Sequence, residues 1–356
     1  MIEDTAQRLF SQYHRSDDLR LSPEAAAAQW PEPLWSAVSD AGIPLALLSE
    51  ADGGFGFSHD EVCTLVGLAA RFTSAIPLGE TLLGNWLLAK AGRPSSADIL
   101  TLLPVPLSIH IDSAGVSRFR CPAVARTPFG RHATGVLAFA EADNGNTYLL
   151  ELGALAVASR SHNLAGEARD TMTLPPQLAS EQRHPLAISR DSFLAQCALM
   201  RAAAIAGVAE VVLEVCIAYA NERKQFGRAI GKFQAIQHYL ARMAGEVAAS
   251  RVAVDTAARS LADAGNANSP FVLQAAAAKL RCGEAAGHIA QLAHQVHGAI
   301  GFSQEHALHG YTRRLWSWRE EYGNEHYWAS VIGNTLCQRG HEQLWATISH
   351  TQAIPS

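Results

Sequence analysis

Apolar and polar positions change their period twice along the chain. As far as about residue 103 the pattern is helical, broken by proline and glycine. Ser22-Pro23-Glu24 starts a helix with proline at its first helical position. Pro33 opens "PLWSAVSDAG", which stops at Gly42. "SHDE", Ser58 to Glu61, is a capping box ahead of "VCTLVGLAARF", and Pro77 separates that helix from the next. Between Val105 and Leu174 the runs are short, alternating or β-branched: "VPLSIHI", "GVLAFAEA", "TYLLELGALAVAS" and "DTMTL". Asn144-Gly145 between two of them signals a hairpin. After the Pro- and Ser-rich "LPPQLASEQRHPL" the helical period returns, in helices much longer than the mean of about 11–12 residues. One starts near Ser189 and is apolar on most faces. A second ends at Gly265, and a third is capped by Ser269-Pro270. The expectation is a mainly α chain with a small middle β domain. A helical domain (1–103) and a shortened β domain (104–188) precede a C-terminal four-helix bundle (189–356). No parallel α/β sheet is expected.

Composition narrows the function classes. The chain has 356 residues, 48% hydrophobic and 17% charged, with a net charge of −5. That describes a packed protein with no basic run for nucleic acid. Six cysteines lie scattered without a CxxC pair, as reduced, mostly core thiols do. The acidic "MIEDTAQRLF" does not read as a signal peptide, and no apolar run reads as a membrane span. A cytoplasmic protein with no membrane partner is expected.

The chemistry concentrates at "NERKQFGRAIGKFQ", Asn221 to Gln234, between two long helices. Arg223 and Lys224 at a helix end, followed by a helix N-terminus, suit a phosphate or pyrophosphate. Phe226 could cover an aromatic ring and Gln234 offers an amide. A capped helix–helix turn with Phe226 in the core explains the same spacing. "QVHGAIGF", Gln295 to Phe302, ends another long helix with an amide and two glycines, which allow close backbone approach or a plain C-cap.

Together "RKQFG…FQAIQHYLARMA" and "QVHGAIGF" resemble the C-terminal domain of the acyl-CoA dehydrogenases, and "LLSEADGGFGFSHDEVCTLVGLAARF…PLGETLL" is similar to that family's first helical domain. The resemblance implies bound FAD, an acyl-CoA substrate and a dimer of dimers. It implies that Arg223, Gln225, Phe226, Gln234, Gln295 and Gly298 hold the ADP half of an FAD belonging mainly to a neighbouring subunit.

The rest of the family's pattern is incomplete. Its chemistry needs a carboxylate to remove the α-proton, in a "YEGT" segment whose place here falls on Tyr322, followed by Gly323-Asn324. Tyrosine, with an ordinary pKa near ~10, is a poor base at neutral pH. Glu320 and Glu321 adjoin it. The family's other base position, early on the first long helix, offers Gln196 and Cys197. The "ALTEP…GSD" and "W-x-T/S" stretches that cradle the flavin ring are missing between Pro104 and Leu186.

The resemblance therefore points to a degenerate subunit. It would complete the site of a longer homologous partner in an α2β2 hetero-oligomer, of the kind acting on steroid-derived or other bulky acyl-CoA thioesters. The alternatives are a self-sufficient homomeric enzyme with Glu321 or Glu320 as base, and a cofactor-free helical interaction subunit. "EHALH", Glu305 to His309, has no third ligand at helix spacing, so no metal is expected. Trp316, Trp318, Tyr322, Tyr327 and Trp328 read as packing before they read as an acyl pocket. No HExxH or G-x-S-x-G supports hydrolase chemistry.

Overall fold

A computed structural model describes residues 2–96, 98–261, 270–340 and 342. The expected helix end at Gly265 and the cap at Ser269 lie outside these. Five helices come first: α1 (Ile2–Tyr13), α2 (Pro23–Ala27), α3 (Glu32–Asp40), α4 (His59–Arg71) and α5 (Leu78–Lys90). Nine strands follow: β1 (Leu100–Leu102), β2 (Leu107–Ile111), β3 (Ser117–Phe119), β4 (Ala123–Pro128), β5 (Gly135–Ala142), β6 (Thr147–Gly153), β7 (Val157–Ser159), β8 (Arg169–Thr173) and β9 (Arg183–Pro185). The long helices are α6 (Arg190–Glu222), α7 (Gln234–Ser260) and α8 (Phe271–His297). The short strands β10 (Lys224–Gln225) and β11 (Arg228–Ala229) lie between α6 and α7. A 3-10 turn (Gly298–Phe302), α9 (Leu308–Arg319) and α10 (Glu325–Arg339) complete the order. The helical, β, helical sequence of elements is as expected.

The chain packs as two compact units. One comprises Pro23–Val62 and Ala75–Cys197. The other comprises the residues up to Ser22, Cys63–Ser74, and those from Ala198 onward.

In the β-containing unit, six strands form one sheet in the order β3-β2-β5-β6-β9, with β1 also on β5, and β4-β8-β7 form a second. The pairings of β5 with β1 and with β2 are parallel, the others antiparallel. The sheet is mixed. It is not an α/β sheet, because the chain returns from β1 and β2 to β5 through β3 and β4, with no helix between. On β5 the period of two is legible: Val136, Ala138, Ala140 and Ala142 face a core with Leu107, Ile109, Leu150 and Leu174. On the opposite face Phe139 stacks on Phe193, 5.0 Å between centroids. The β5–β6 hairpin turns at Asn144-Gly145, Gly145 having φ +81°.

The helical unit is built on α8, packed against α7, α9 and α10. Its buried face runs from Phe271 to His297 and is rich in alanine, which lets neighbouring helices approach closely. The tightest approach joins α4 and α6, where a Cβ on Gly207 would lie 2.1 Å from the carbonyl oxygen of Gly67. Arg71 of α4 reinforces this crossing through Glu210, 2.9 Å away, and Glu214 of α6, also at 2.9 Å. By length and composition α6 would pass as a membrane span, which corrects the reading that no run is long enough. Yet 56% of its most apolar stretch is buried within the protein. Of the cysteines, Cys63, Cys197, Cys216 and Cys282 are buried thiols as expected, whereas Cys121 and Cys337 are exposed.

The crossing yields a prediction. Gly207→Ala places a methyl group inside van der Waals distance of a backbone that cannot rotate away. The variant should lose about 2–3 kcal/mol in urea unfolding, within the range for overpacked cores. An unchanged midpoint would mean that α4 and α6 do not cross at these glycines.

Candidate functional site

The junction after α6 is a two-residue hairpin. Gln225 pairs with Arg228, and the turn residues Phe226 and Gly227 have φ of +49° and +80°. Two positive φ values make a type I′ turn, whose first position usually goes to asparagine, aspartate or glycine. A phenylalanine held there is strained and points outward: Phe226 is 91% exposed, not in the core. Phe233 braces the hairpin, edge-on to Phe226 at 6.2 Å and under the Arg228 guanidinium at 4.3 Å.

Phe233 is also the N-cap of α7 and supplies no capping side chain, so the first-turn N–H groups of α7 remain available. Arg223, Lys224, Arg228 and Lys232 stand against the single acid Glu222 in this segment. Among the described residues, the side chains of Arg223, Gln225, Gln234 and Gln295 have no hydrogen-bond or ion-pair partner, and all are exposed.

The end of α8 is brought to the same place. Tyr219, one turn before the hairpin, stacks on His297 at 4.2 Å between centroids. Its hydroxyl donates to the His297 carbonyl, 3.5 Å away. Gln295 and Gly298 flank His297. Gly298 ends α8 with φ +63° and ψ −145°, and nothing lies within 4 Å of where its Cβ would be. The six residues expected to grip a nucleotide therefore gather at one end of the helical unit. Their chemistry fits a diphosphate: cations, amides, helix N–H groups, a bare glycine and an exposed aromatic ring.

Tyr322 sits in a second turn, between α9 and α10, again with positive φ: +55°, followed by Gly323 at +89°. This turn is tightly held. Lys279 of α8, 1% exposed, donates from Nζ to the carbonyls of Arg319 at 2.8 Å and Gly323 at 2.7 Å. Trp328 Nε1 donates to the Tyr322 carbonyl at 3.0 Å. A Cβ at Gly323 would lie 2.6 Å from that same indole nitrogen. Burial lowers the Lys279 pKa to about 8, against the opposing pull of Glu325.

Neither glutamate beside Tyr322 is a free base. Glu321 Oε2 is 3.0 Å from Nε of the buried Arg201, whose guanidinium also lies 5.5 Å from the Trp318 ring and 5.6 Å from the Tyr322 ring. Glu320 is exposed, 3.7 Å from Arg319 and accepting from Asn324 Nδ2 at 3.3 Å. At the other base position, on α6, Gln196 and Cys197 are both buried, and Gln196 donates to Ser192 Oγ at 3.3 Å. Trp318 and Trp328 are core residues; Tyr327 is exposed, and Trp316 is half-buried. Among the described residues no three His, Cys, Asp or Glu side chains converge as a metal site. Sequence reasoning missed Arg201 and Lys279. Their signal was a single cation in each of two alanine-rich helical runs, "ALMRAAA" and "AAAAKL".

Comparison with known proteins fits this geometry. Residues 189–336 match the family model described as the acyl-CoA dehydrogenase C-terminal domain. Over that stretch the chain is an acyl-CoA dehydrogenase C-terminal domain. "Acyl-CoA dehydrogenase FadE34" of Mycobacterium tuberculosis is 29% identical over 304 residues, covering 82% of this chain and 40% of that one. The chain spans 25% of one curated relative it matches and 47% of another, less than half of either. Among solved structures, a variant of the Tcur3481-Tcur3483 steroid ACAD superposes with TM-score 0.83 at 22% identity, covering 95% of this chain and 97% of that one. The ChsE4-ChsE5 complex from Mycobacterium tuberculosis gives 0.83 at 22% identity, covering 94% and 96%. At such identities the likeness shows the fold: this is the acyl-CoA dehydrogenase fold, N-terminal helices, β region and C-terminal helices.

The end of α8 rests on a neutral histidine. Burial drives the His297 pKa down to about 4; its bond to Ala293 opposes this, and His306 and His294 add to it. Between pH 6.5 and 4 the unfolded chain carries a proton here that the folded chain refuses. Stability should therefore fall as pH drops through that window, by up to roughly 3 kcal/mol. His297→Phe should flatten that dependence in urea titrations at pH 7, 5.5 and 4.5. A variant with the parent's slope would remove His297 as its source.

Proposed function

We propose that this chain is a subunit of an FAD-dependent acyl-CoA dehydrogenase that lends the ADP-binding half of a shared flavin site to a homologous partner and does not run a complete site of its own. The observation that carries the reading is Glu321. It is the carboxylate nearest the base position, and it is committed to Arg201 at 3.0 Å while Tyr322 occupies the position itself. An ionised carboxylate paired with a guanidinium is a weak proton acceptor, because protonation forfeits the attraction between the two charges. The grip, in contrast, keeps its polar groups unspent.

Distance supports the same division. Lys279 under the Tyr322 turn and Gln295 at the grip are sixteen residues apart on one helix. That is roughly 24 Å at 1.5 Å per residue. The two features belong to different sites, so the grip serves chemistry carried out elsewhere.

Arg223 and the first turn of α7 would hold the pyrophosphate, Gln234 and Gln295 the polar edges beside it, Phe226 a ring face, and Gly298 would admit the ligand against backbone. FAD, when bound, supplies the acceptor for the hydride leaving the β-carbon of an acyl-CoA. This chain's residues bind and orient; the carboxylate that takes the α-proton comes from the partner. A bulky acyl group and a two-protein assembly are in keeping with the steroid ACAD and the ChsE4-ChsE5 complex among the solved neighbours; we propose an α2β2 arrangement.

The test is co-expression with a longer homologue. The pair should hold one FAD per heterodimer and reduce it with a suitable acyl-CoA. Arg223→Ala should weaken flavin retention about tenfold or more, the value of a charge-assisted phosphate contact of about 1.5–3 kcal/mol. A yellow homotetramer with one flavin per subunit, whose reduction Glu321→Gln abolishes, would instead make Glu321 a working base and overturn the proposal.

A further inference from the structure

Beside the grip, and outside it, the helical unit holds a cavity of about 300 Å³ between the 3-10 turn and α9. Its lining is His294, Phe302, Gln304, His309, Thr312, Arg313 and Trp316. None of these is among the nucleotide-gripping residues. The volume is at the small end for ligand pockets, room for one or two rings.

The walls are flat. The His294 ring stacks on Phe302 at 4.1 Å and 18°, and lies within 14° of the Trp316 plane at 5.7 Å. Three ring planes thus share one orientation. Phe302 is 68% exposed, an unusual position for a phenylalanine stacked on a buried imidazole.

The floor is polar and of one sign. Arg313 is the one charged residue in the lining, its Nη2 donating to the Leu21 carbonyl at 2.9 Å, and no carboxylate lines the cavity. Thr312, fully buried, bonds His294 Nε2 at 3.0 Å, and its hydroxyl reaches the His309 carbonyl at 3.4 Å. That leaves Nδ1 of His294 and Nε2 of His309 buried without a hydrogen-bond partner among the described residues. Buried ring nitrogens left unbonded carry a cost, and a ligand with polar atoms removes it. Burial, aided by Arg313 for His309, holds both imidazoles below their ordinary range. Because the Thr312 hydroxyl donates to the His309 carbonyl, His294 Nε2 donates to Thr312 and its Nδ1 is left to accept.

We propose that this cavity is a binding site for a small aromatic carboxylate, its ring against Phe302 and Trp316 and its anion on Arg313. Aromatic walls select a planar group, and a guanidinium selects a planar anion. A ring without the anion forfeits the charge-assisted contact; an aliphatic acid forfeits the stacking.

The site can be probed on the full chain with 2-naphthoate by titration calorimetry, with neutral 2-naphthamide alongside. The expected result is saturable one-to-one binding of the acid, at least about tenfold tighter than the amide. Arg313→Gln should erase that preference. Phe302→Ala, at an exposed position that leaves the fold intact by circular dichroism, should weaken both probes. Arg223→Ala should leave binding unchanged, so the result stands apart from the fate of the flavin grip. Equal binding of acid and amide, binding lost in Arg223→Ala, or no saturable heat would overturn the proposal. So would loss of naphthoate binding on assembly with the partner subunit, because the cavity would then be a socket for that chain.

Discussion

Helix α8 must bury an ammonium ion, and much of the C-terminal architecture follows from how it does so. Lys279 lies among alanines at 1% exposure, where an unanswered charge would unfold the helix packing around it. Its answer is two backbone carbonyls from the end of α9 and the turn that follows. Those bonds stop α9 at Arg319 and fix where the chain turns toward α10. The turn then needs a left-handed residue, a glycine that yields to Trp328, and an N-cap, which Asn324 supplies by accepting from the Tyr327 N–H at 3.1 Å. Tyr322 is thus presented by a rigid support, and the strain at its φ is offset by three neighbouring elements.

The other end of α8 solves the opposite problem. Cations favour a helix C-terminus, yet His294 and His297 are buried there and kept neutral by desolvation. They use their rings for stacking instead, on Tyr219, Phe302 and Trp316. Through the Tyr219–His297 stack the end of α6 is held beside the end of α8, and so the hairpin with Arg223 meets Gln295 and Gly298. One helix therefore organises both candidate sites, by a buried charge at one end and suppressed charges at the other.

What could be read from sequence was whatever is local. The capping box at Ser58 and Glu61 forms, with Ser58 N donating to Glu61 Oε2 at 2.8 Å, and Asn144-Gly145 turns its hairpin. The long apolar patterns became α6, α7 and α8. The strands that escaped are those whose partners are distant in sequence or whose patterns are interrupted. β1 is three residues long and finds its partner 35 positions later, in parallel. β4 carries a register shift between Val124 and Thr127, with Arg126 at φ +61°, so its alternation does not survive into the residue order. That the two motifs around Arg223 and Gln295 would meet was legible because family spacing marks both. The Arg201–Glu321 pair was not, because its members are 120 residues apart and nothing local to either requires the other.

That pair also decides how the turn should be read. A base must give up its stabilisation when it takes a proton, and a carboxylate serves best when its partners are weak and its pKa stands near the working pH. Glu321 has a guanidinium at 3.0 Å, and that guanidinium lies 5.5 Å from the Trp318 ring and 5.6 Å from the Tyr322 ring. Protonating it would forfeit its attraction to the buried Arg201 guanidinium. The local energetics therefore resist the very step a dehydrogenase base performs, while an equally buried lysine fastens the turn in place. Such a turn is built to hold its shape. At the far end of α8 the arrangement is the reverse: Phe226 is strained and faces solvent, and the amides of Gln234 and Gln295 are exposed and uncommitted.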